Sequence, residues 1–277
     1  MASPVEGPPR EPVVDLEAYL ARTGYTGRLD PSLATLQGLH VAHATSIPFE
    51  NLDILLGREI SLELDALESK LVASRRGGYC FEHNTLFSAV LDSLGFEVTR
   101  LAARVRFGST AIRPRSHMLL SVKLDGQPWL VDVGFGGEGL LYPIRMLDPE
   151  ESRQFGWTFR VQRDGDIQVL QSLHGEGWFD LYAFTQEPQY PIDFVVANHF
   201  TATHPHSPFV QSLVVQRQNC ETRFTLRNRE LSEESPHRRN TRTLPDDDAV
   251  LAILAEVFGL TFPTGTRFPY RDQAGNA

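Results

Sequence analysis

The chain has 277 residues, of which 41% are hydrophobic and 22% charged, as in globular proteins that build a substantial core. This length fits one large domain or two to three smaller subdomains. The net charge of −9 argues against a dedicated nucleic-acid-binding protein and against binding to anionic membranes. It does not exclude a local basic pocket that binds phosphates. With two cysteines and no C-x-x-C motif, the sequence excludes a disulfide framework and fits a reducing cytoplasm.

The first hundred residues carry mainly helix signals. Met1–Pro12 is rich in proline, lacks the apolar core of a signal peptide and is predicted to form a loose tail. No apolar run reaches the length of a membrane span, so we expect a cytoplasmic protein without a membrane segment. Further along, Asp30-Pro31 is predicted to open a helix, and Asp65-Ala66-Leu67-Glu68 resembles a capping box that starts another.

The pattern changes to strands after Gly95. Apolar and β-branched runs predict strands over Val98–Phe107, His117–Leu124, Trp129–Val133, Trp157–Arg163, Ile167–Leu170 and Trp178–Phe184. The Asp125-Gly126 pair between the second and third of these is a strong hairpin-turn signal. The spacing of the strands is typical of an antiparallel sheet or a small barrel.

The last third of the chain is mixed. Phe209–Arg217 and Arg223–Leu226 are predicted strands, and the charged segment Glu230–Arg242 is predicted to be an exposed connection. Asp246 is predicted to cap a final helix over Ala249–Phe258. Helices first, strands next and a mixed segment last indicate an α+β fold rather than an alternating α/β fold.

The stretch Arg75–Asn84 contains one of the two cysteines. Gly77 and Gly78 precede Cys80 and allow a sharp turn that lies close to a ligand. Apolar residues at helical spacing follow, so we expect Cys80 at or near a helix N-terminus. There the positive end of the helix dipole favours a nucleophilic thiolate, whereas the ordinary fate of a lone cysteine is a small buried hydrophobic side chain.

A base and an orienting acid are predicted on the hairpin that follows. If its turn has two residues, Leu124 pairs with Gln127. His117 then pairs with Gly134, and Asp132 shares the face of His117 one diagonal step away. Asp132 interrupts an apolar strand, where an unpaired buried carboxylate is costly, so a partner is implied. His117 and Asp132 therefore fit the base and the orienting acid of a cysteine nucleophile.

Other assignments stay open on the residues alone. His83 lies three positions after Cys80 and is a rival base, although no nearby carboxylate is placed to orient it. A zinc ion held by Cys80, His117 and Asp132 is formally open, but the sequence shows no recognised zinc spacing, so no metal is predicted. The glycines that follow Asp132 allow backbone amides to approach a carbonyl or a phosphate.

Several segments together resemble the arylamine N-acetyltransferase family. They run in order over most of the chain: Ile47–Asn51, Arg76–Glu82, Ser116–Met118, Val131–Gly136 and the segment from Asn198 to Phe209. The resemblance implies a helical bundle over residues 1–95, a β-barrel over 96–205 and an α/β lid over 206–277. It also implies a cysteine-protease-like Cys-His-Asp core, in which the bundle carries the nucleophile and the barrel carries the other two side chains.

The same resemblance implies roles for individual residues. The catalytic residues would be Cys80, His117 and Asp132. The aromatic residues around the acceptor pocket would be Phe49, Phe135 and Phe209. The residues near the acyl donor would be Ser116 and Gly136. The implied reaction transfers an acetyl group from acetyl-CoA, the cosubstrate, to an arylamine or arylhydrazine through an acetyl-cysteine. No metal is implied, and assembly into homo-oligomers stays open.

Three rival functions share parts of this pattern. An amide synthase of the same fold would use the same three residues on a carrier-bound polyketide thioester. A cysteine hydrolase of the papain or transglutaminase type also orders Cys, His and Asp along its chain. A non-catalytic binding protein would keep the pocket, but an intact Cys80, His117 and Asp132 argue against it.

Overall fold

The computed structural model describes residues 13–109, 111–147, 150–175 and 177–270, so the predicted tail Met1–Pro12 lies outside the described residues. The helices are α1 (Leu16–Thr23), α2 (Leu33–Ser46), α3 (Leu52–Leu55), α4 (Leu64–Leu67) with a π-helical turn over Glu68–Ala73, α5 (Cys80–Ser93), α6 (Pro191–Thr203), α7 (Pro208–Gln211) and α8 (Asp247–Glu256). Across the described ranges, no helix is long and apolar enough to cross a membrane.

Within the described residues, thirteen strands complete the fold. They are β1 (Phe49–Glu50), β2 (Glu97–Val105), β3 (His117–Leu124), β4 (Gln127–Val131), β5 (Ile144–Arg145), β6 (Ser152–Gln154), β7 (Trp157–Asp164), β8 (Ile167–His174), β9 (Gly177–Phe184), β10 (Val214–Gln218), β11 (Arg223–Arg227), β12 (Glu230–Ser235) and β13 (Arg238–Thr243). The first third of the chain is mainly helical and the middle third is mainly strand, which confirms the predicted α+β class.

Two of the predicted helix starts are wrong by a few residues. α2 is capped by Ser32, whose hydroxyl accepts a hydrogen bond from the backbone of Thr35 at 3.4 Å, while Asp30 pairs with Arg28 instead. The predicted capping box also fails, because α4 begins at Leu64, before Asp65. Its would-be acidic partner, Glu68, turns away and accepts from the backbone of Asp15 at the start of α1.

The middle of the chain forms one antiparallel sheet of eight strands. The order is β5-β4-β3-β2-β9-β8-β7-β6, and the sheet curls so that β5 approaches β7, which gives a nearly closed barrel. The predicted barrel is thus confirmed. Its interior is filled by side chains such as Leu101, Leu119, Phe159 and Leu181, all completely buried.

The hairpin of β3 and β4 has the predicted two-residue turn. Leu124 pairs with Gln127, and the pairing continues to Leu120 and Val131. It stops there, so the predicted pairing of His117 with Gly134 is wrong. Beyond Val131 the chain leaves β3, because its backbone amides turn to side-chain acceptors on α5 and within the turn itself.

The C-terminal sheet contains a strand from the N-terminal region. Its order is β1-β10-β11-β12-β13, with Phe49 paired to Gln216. The sequence analysis predicted no strand at this position, because β1 is short and its partner lies far along the chain. Leu52 and Leu55, just after β1, belong to the apolar core that the sheet shares with α8.

Two other predictions fail in this region. Glu230–Arg242 is not a connection but the β12–β13 hairpin, with Ser235 paired to Arg238; its charged side chains suit an exposed edge strand. Phe209 lies in α7 rather than in a strand, because Ser207 caps a short helical turn that starts at Pro208. The sequence analysis did not predict α6, whose apolar residues point outward as well as inward.

The boundaries predicted between bundle, barrel and lid, at residues 95/96 and 205/206, remain predictions. The apolar core falls into three clusters: one between the helices and the outer face of β2 and β3, one inside the barrel, and one under the C-terminal sheet. The loop before α5 and the ends of β3 and β4 meet at the first of these clusters, which contains Cys80, Met118 and Val131.

Candidate active site

Cys80 is the first residue of α5. The preceding loop is pinned to Pro48 and Glu50: the amide of Gly78 donates to the carbonyl of Pro48 at 3.4 Å, and the amide of Glu50 donates to the carbonyl of Gly78 at 2.7 Å. A Cβ at Gly77 would collide with the Pro48 carbonyl oxygen, so only glycine fits there. This close approach fixes the helix start and with it the position of the thiol.

The Cys80 side chain is 3% exposed and lies between the ends of β3 and β4. Its sulfur donates to the backbone carbonyl of Ser116 at 3.7 Å. A Cβ at Gly134 would lie 2.8 Å from Cys80 Cα, so the glycine turn after Asp132 passes directly against the helix start. The thiol therefore lies beside His117 and contributes to the pKa of its imidazole.

His117 and Asp132 form a buried pair. His117 Nε2 lies 2.7 Å from Asp132 Oδ2, and their side chains are 3% and 1% exposed. With Nε2 engaged by the carboxylate, Nδ1 is left for Cys80. Burial by itself lowers the pKa of His117, but the charges of Asp132 and Cys80 and the hydrogen bonds to both raise it to about 10. The pairing with Asp132 thus favours the charged form of the imidazole.

The carboxylate of Asp132 is held from its other side. Its Oδ1 accepts from Asn84 Nδ2 and from the backbone amide of Gly134, both at 3.0 Å. Asn84 also donates to the carbonyl of Met118 at 2.7 Å, so α5 is tied to both strands. Burial alone raises the pKa of Asp132, but the His117 charge and these hydrogen bonds lower it below its ordinary value.

His83, the rival base, is engaged elsewhere. Its Nδ1 lies 2.8 Å from Nε2 of His43, and its Nε2 lies 3.2 Å from the carbonyl of Pro48. His43 in turn accepts from the hydroxyl of Tyr19 at 2.9 Å, so a buried chain of hydrogen bonds joins α1, α2 and α5. Burial lowers the pKa of His83 to about 4. The structure therefore ties this histidine to the Pro48 loop and not to the thiol.

Acid is expected to weaken the fold between pH 6.5 and about 4 through the buried histidines. Burial lowers the pKa of His40 and His83 to about 4, and that of His43 well below its ordinary value of 6.5. Within this range the histidines are protonated in the unfolded chain but stay neutral in the folded chain. The free energy of unfolding therefore falls as the pH falls, by up to about 1.4 kcal/mol per pH unit for each histidine.

Urea unfolding between about pH 7.5 and 5 measures this effect. His43→Leu, if folded, should show a shallower pH dependence than the wild type, and the exposed His237→Gln should match the wild type. Equal stability across this range would contradict the expectation. His117 acts in the other direction, since its raised pKa stabilises the fold below pH 6.5 and this contribution is lost as the pH rises towards 10.

The three predicted aromatic residues fall into two groups, one against His83 and one against His117. The rings of Phe49 and Phe209 pack with their centroids 5.8 Å apart, and Phe49 stacks over His83. Phe135 lies over His117, with centroids 5.0 Å apart. Asn51 holds the backbone of Phe209 by donating to its carbonyl at 2.7 Å. Of the two predicted donor-side residues, Ser116 bonds the thiol through its carbonyl, and Gly136 lies against Phe49 with a φ of 83°.

Comparison with known proteins agrees with this arrangement. A family model described as N-acetyltransferase matches residues 32–266. The arylamine N-acetyltransferase of Escherichia coli is 40% identical over 248 residues, which cover 88% of this chain and 88% of that protein. The structure of the arylamine N-acetyltransferase from Mycobacterium abscessus matches with a TM-score of 0.87 and 40% identity over 91% of each chain. The chain belongs to the arylamine N-acetyltransferase family.

Proteins with this family name are acyltransferases, and the chain is an enzyme of that class. A second solved structure, the Mycobacterium marinum arylamine N-acetyltransferase in complex with CoA, matches with a TM-score of 0.85 and 37% identity. The match covers 88% of this chain and 92% of that one. The resemblance seen in the sequence motifs is therefore confirmed over most of the chain.

The sequence analysis missed a buried charge network under the loop that precedes Cys80. Arg76 contacts Glu50 at 2.5 Å and Asp53 at 3.2 Å, while Lys70 contacts Asp53 at 2.9 Å and Glu82 at 2.7 Å. Glu82 also accepts from the backbone amide of the residue before Cys80, at 3.0 Å. Glu50 and Glu82 lie in the motifs of the sequence analysis. The chain spacing does not reveal that Arg76 pairs with Glu50 and Lys70 with Glu82.

Proposed function

We propose that this enzyme transfers the acetyl group of acetyl-CoA to arylamines or arylhydrazines in two steps through an acetyl-cysteine at Cys80. The observation that carries the proposal is the placement of the Cys80 thiol at the N-terminus of α5, beside His117. Nε2 of His117 lies 2.7 Å from the buried carboxylate of Asp132. A thiolate next to an imidazolium is the nucleophile that a thioester requires.

In the first step the Cys80 thiolate attacks the carbonyl carbon of the thioester. The C–S bond to coenzyme A breaks, and His117 gives its proton to the departing sulfur. In the second step the amine attacks the acetyl carbonyl, neutral His117 takes a proton from the amine nitrogen, and the C–S bond to Cys80 breaks. The thiolate and imidazolium are then restored. Asp132 holds the tautomer and stabilises the charged ring in both steps.

The surroundings support the remaining roles. The backbone amide of Cys80 is one of the helix-start amides without an intrahelical partner, so we assign it to the oxyanion of each tetrahedral intermediate. Phe49, Phe135 and Phe209 would exclude water from the acetyl-enzyme and receive the ring of the acceptor. Ser116 and Gly136 would border the acyl donor. The complex of a related enzyme with CoA supports acetyl-CoA as that donor.

Intact mass after incubation with acetyl-CoA, without any amine, tests the mechanism. The wild type should gain the mass of one acetyl group, and an added arylamine should remove it. Cys80→Ala should gain nothing, whereas Cys220→Ala should behave as the wild type, because Cys220 is the other free cysteine and a matched control.

Absence of the adduct on a wild-type protein with a reduced thiol would contradict the mechanism. An amide synthase would require a carrier-bound donor, and a hydrolase would release acetate without an amine. Both rivals would therefore give a different result in this experiment. The comparisons do not favour either, since the matched relatives described above are arylamine N-acetyltransferases by name.

A further inference from the structure

Gln216 stands beside the aromatic wall of the site. It is the direct partner of Phe49 in the antiparallel pairing of β1 and β10. Residues directly opposite each other in such a pair project their side chains from the same face of the sheet. The amide of Gln216 and the ring of Phe49 therefore lie side by side, with Glu50 and its charge network on the opposite face.

The same amide also meets the glycine turn after Asp132. A Cβ at Gly136 would collide with Gln216 Oε1 and would lie 3.3 Å from Cγ of Phe49. Gly136 has a φ of 83°, which glycine adopts at no steric cost. Gln216, Phe49 and Gly136 thus converge on one point of the pocket wall. Gly134, two residues before Gly136, touches the helix start at Cys80. Two residues of chain span at most about 7 Å, so this point of the wall lies close to the helix start.

The amide of Gln216 has no hydrogen-bond partner in the part of the chain that the structure describes, although the side chain is half-buried. The neighbouring amide of Asn51 shows the contrast, since it donates to Phe209 and Ser212 and accepts from Val214. A ring that stacks on Phe49 would take the Gln216 amide further from water. The amide then loses its hydrogen bonds unless the ligand replaces them.

We propose that Gln216 selects acceptor amines that carry a hydrogen-bonding group, such as a carbonyl or carboxamide, at the far end of the ring from the reacting nitrogen. The inference rests on the proposed function, because it places the amine nitrogen at the acetyl group on Cys80. Apolar pockets commonly contain a few polar groups that fix the orientation of a ligand. Gln216 is such a group here, and it offers both a donor and an acceptor.

The test uses enzyme that has first been acetylated and freed of acetyl-CoA. The rate constant for loss of the acetyl group is measured with 4-aminobenzamide and with 4-(trifluoromethyl)aniline, which also withdraws electrons but lacks the amide. The ratio of the two rates is expected to fall about tenfold in Gln216→Met. It should stay unchanged in Gln211→Met, a control whose amide is already bonded to the carbonyl of Pro205.

A second variant protects the test against misfolding of the first. In Gln216→Glu the carboxylate should discriminate against 4-aminobenzoate by more than tenfold and should still accept 4-aminobenzamide. An unchanged ratio in folded Gln216→Met would overturn the proposal. So would a slower acetylation of Cys80 with an unchanged ratio, because the amide would then serve the acyl donor. Failure of the proposed function itself would be seen earlier, as a wild type that forms no acetyl-enzyme.

Discussion

Replacing Asp132 with asparagine is expected to lower the rate of Cys80 acetylation by about four orders of magnitude. The carboxylate accepts from His117 through one oxygen and from Asn84 and Gly134 through the other. An asparagine has one acceptor oxygen for these two sets of donors. If that oxygen stays with Asn84 and Gly134, the new NH₂ group faces the imidazole.

The imidazole must then accept at Nε2 and carry its proton on Nδ1, which is the nitrogen next to Cys80. A neutral imidazole that carries its proton on Nδ1 cannot accept the thiol proton at that nitrogen, so the thiolate is no longer formed by this route. The pKa of His117 should also fall, because the charge of Asp132 contributes to its raised value. Rapid-quench mass spectrometry of the acetyl-enzyme at saturating acetyl-CoA measures the rate.

A matched control is available on the barrel. Asp180 is a partly buried carboxylate that pairs with Arg106 at 2.9 Å, remote from the thiol in its contacts. Asp180→Asn should acetylate Cys80 at close to the wild-type rate. Rates within tenfold of the wild type for Asp132→Asn would show that the carboxylate does not orient the base. Urea unfolding of both variants separates a loss of chemistry from a loss of fold.

The second large effect is expected on stability. Arg76→Met should lower the free energy of unfolding by about 3–5 kcal/mol, because it leaves a buried carboxylate without its partner. The side chain of Glu50 is 0% exposed and receives both Nε and Nη2 of Arg76, at 2.9 and 2.5 Å. The methylene chain of methionine replaces the apolar part of the arginine stem, so most of the loss reports the missing charge.

Arg58→Met is the control, since Arg58 also pairs with Asp53, at 3.1 Å, but is 61% exposed. An exposed pair contributes less than about 1 kcal/mol, so this variant should unfold close to the wild type. Glu50→Gln combined with Arg76→Met should recover part of the loss, because no buried charge is then left alone. Equal losses in the two arginine variants would mean that burial of Glu50 does not determine the cost.

Local patterns explain why the central site was predictable. Asp125-Gly126 determines the turn, and the turn determines that Leu124 pairs with Gln127. The expected alternation placed His117 and Asp132 on one face. The strand pairing ends at Val131, and hydrogen bonds from Asn84 and Gly134 hold Asp132 beside His117. Cys80 was placed at a helix start by the glycines before it and the apolar spacing after it. These inferences need only neighbouring residues, and the pair that they predicted is the pair that lies 2.7 Å apart.

Long-range pairing explains most of the failures. Nothing around Phe49 indicates a strand, because its partner Gln216 lies in the last third of the chain. The hairpin of β12 and β13 was read as a connection because a charged edge strand lacks an apolar alternation. The sequence analysis did not predict the ion pairs of Arg76 and Lys70, since only the folded chain brings Glu50, Asp53 and Glu82 to them. α6 carries apolar residues on several sides and so has no helical stripe to detect.

The strand Phe49–Glu50 has a consequence for synthesis of the protein. While the ribosome is still translating the middle of the message, β1 lacks its strand partner β10, and Asn51 lacks Ser212, which lies 161 residues further along. Leu52 and Leu55 stay without the core that buries them until the C-terminal sheet emerges. A premature stop codon early in the last third would therefore leave Cys80, His117 and Asp132 in the chain and still remove one wall of the site. Such truncated chains would expose apolar surface and become substrates for chaperones and proteases.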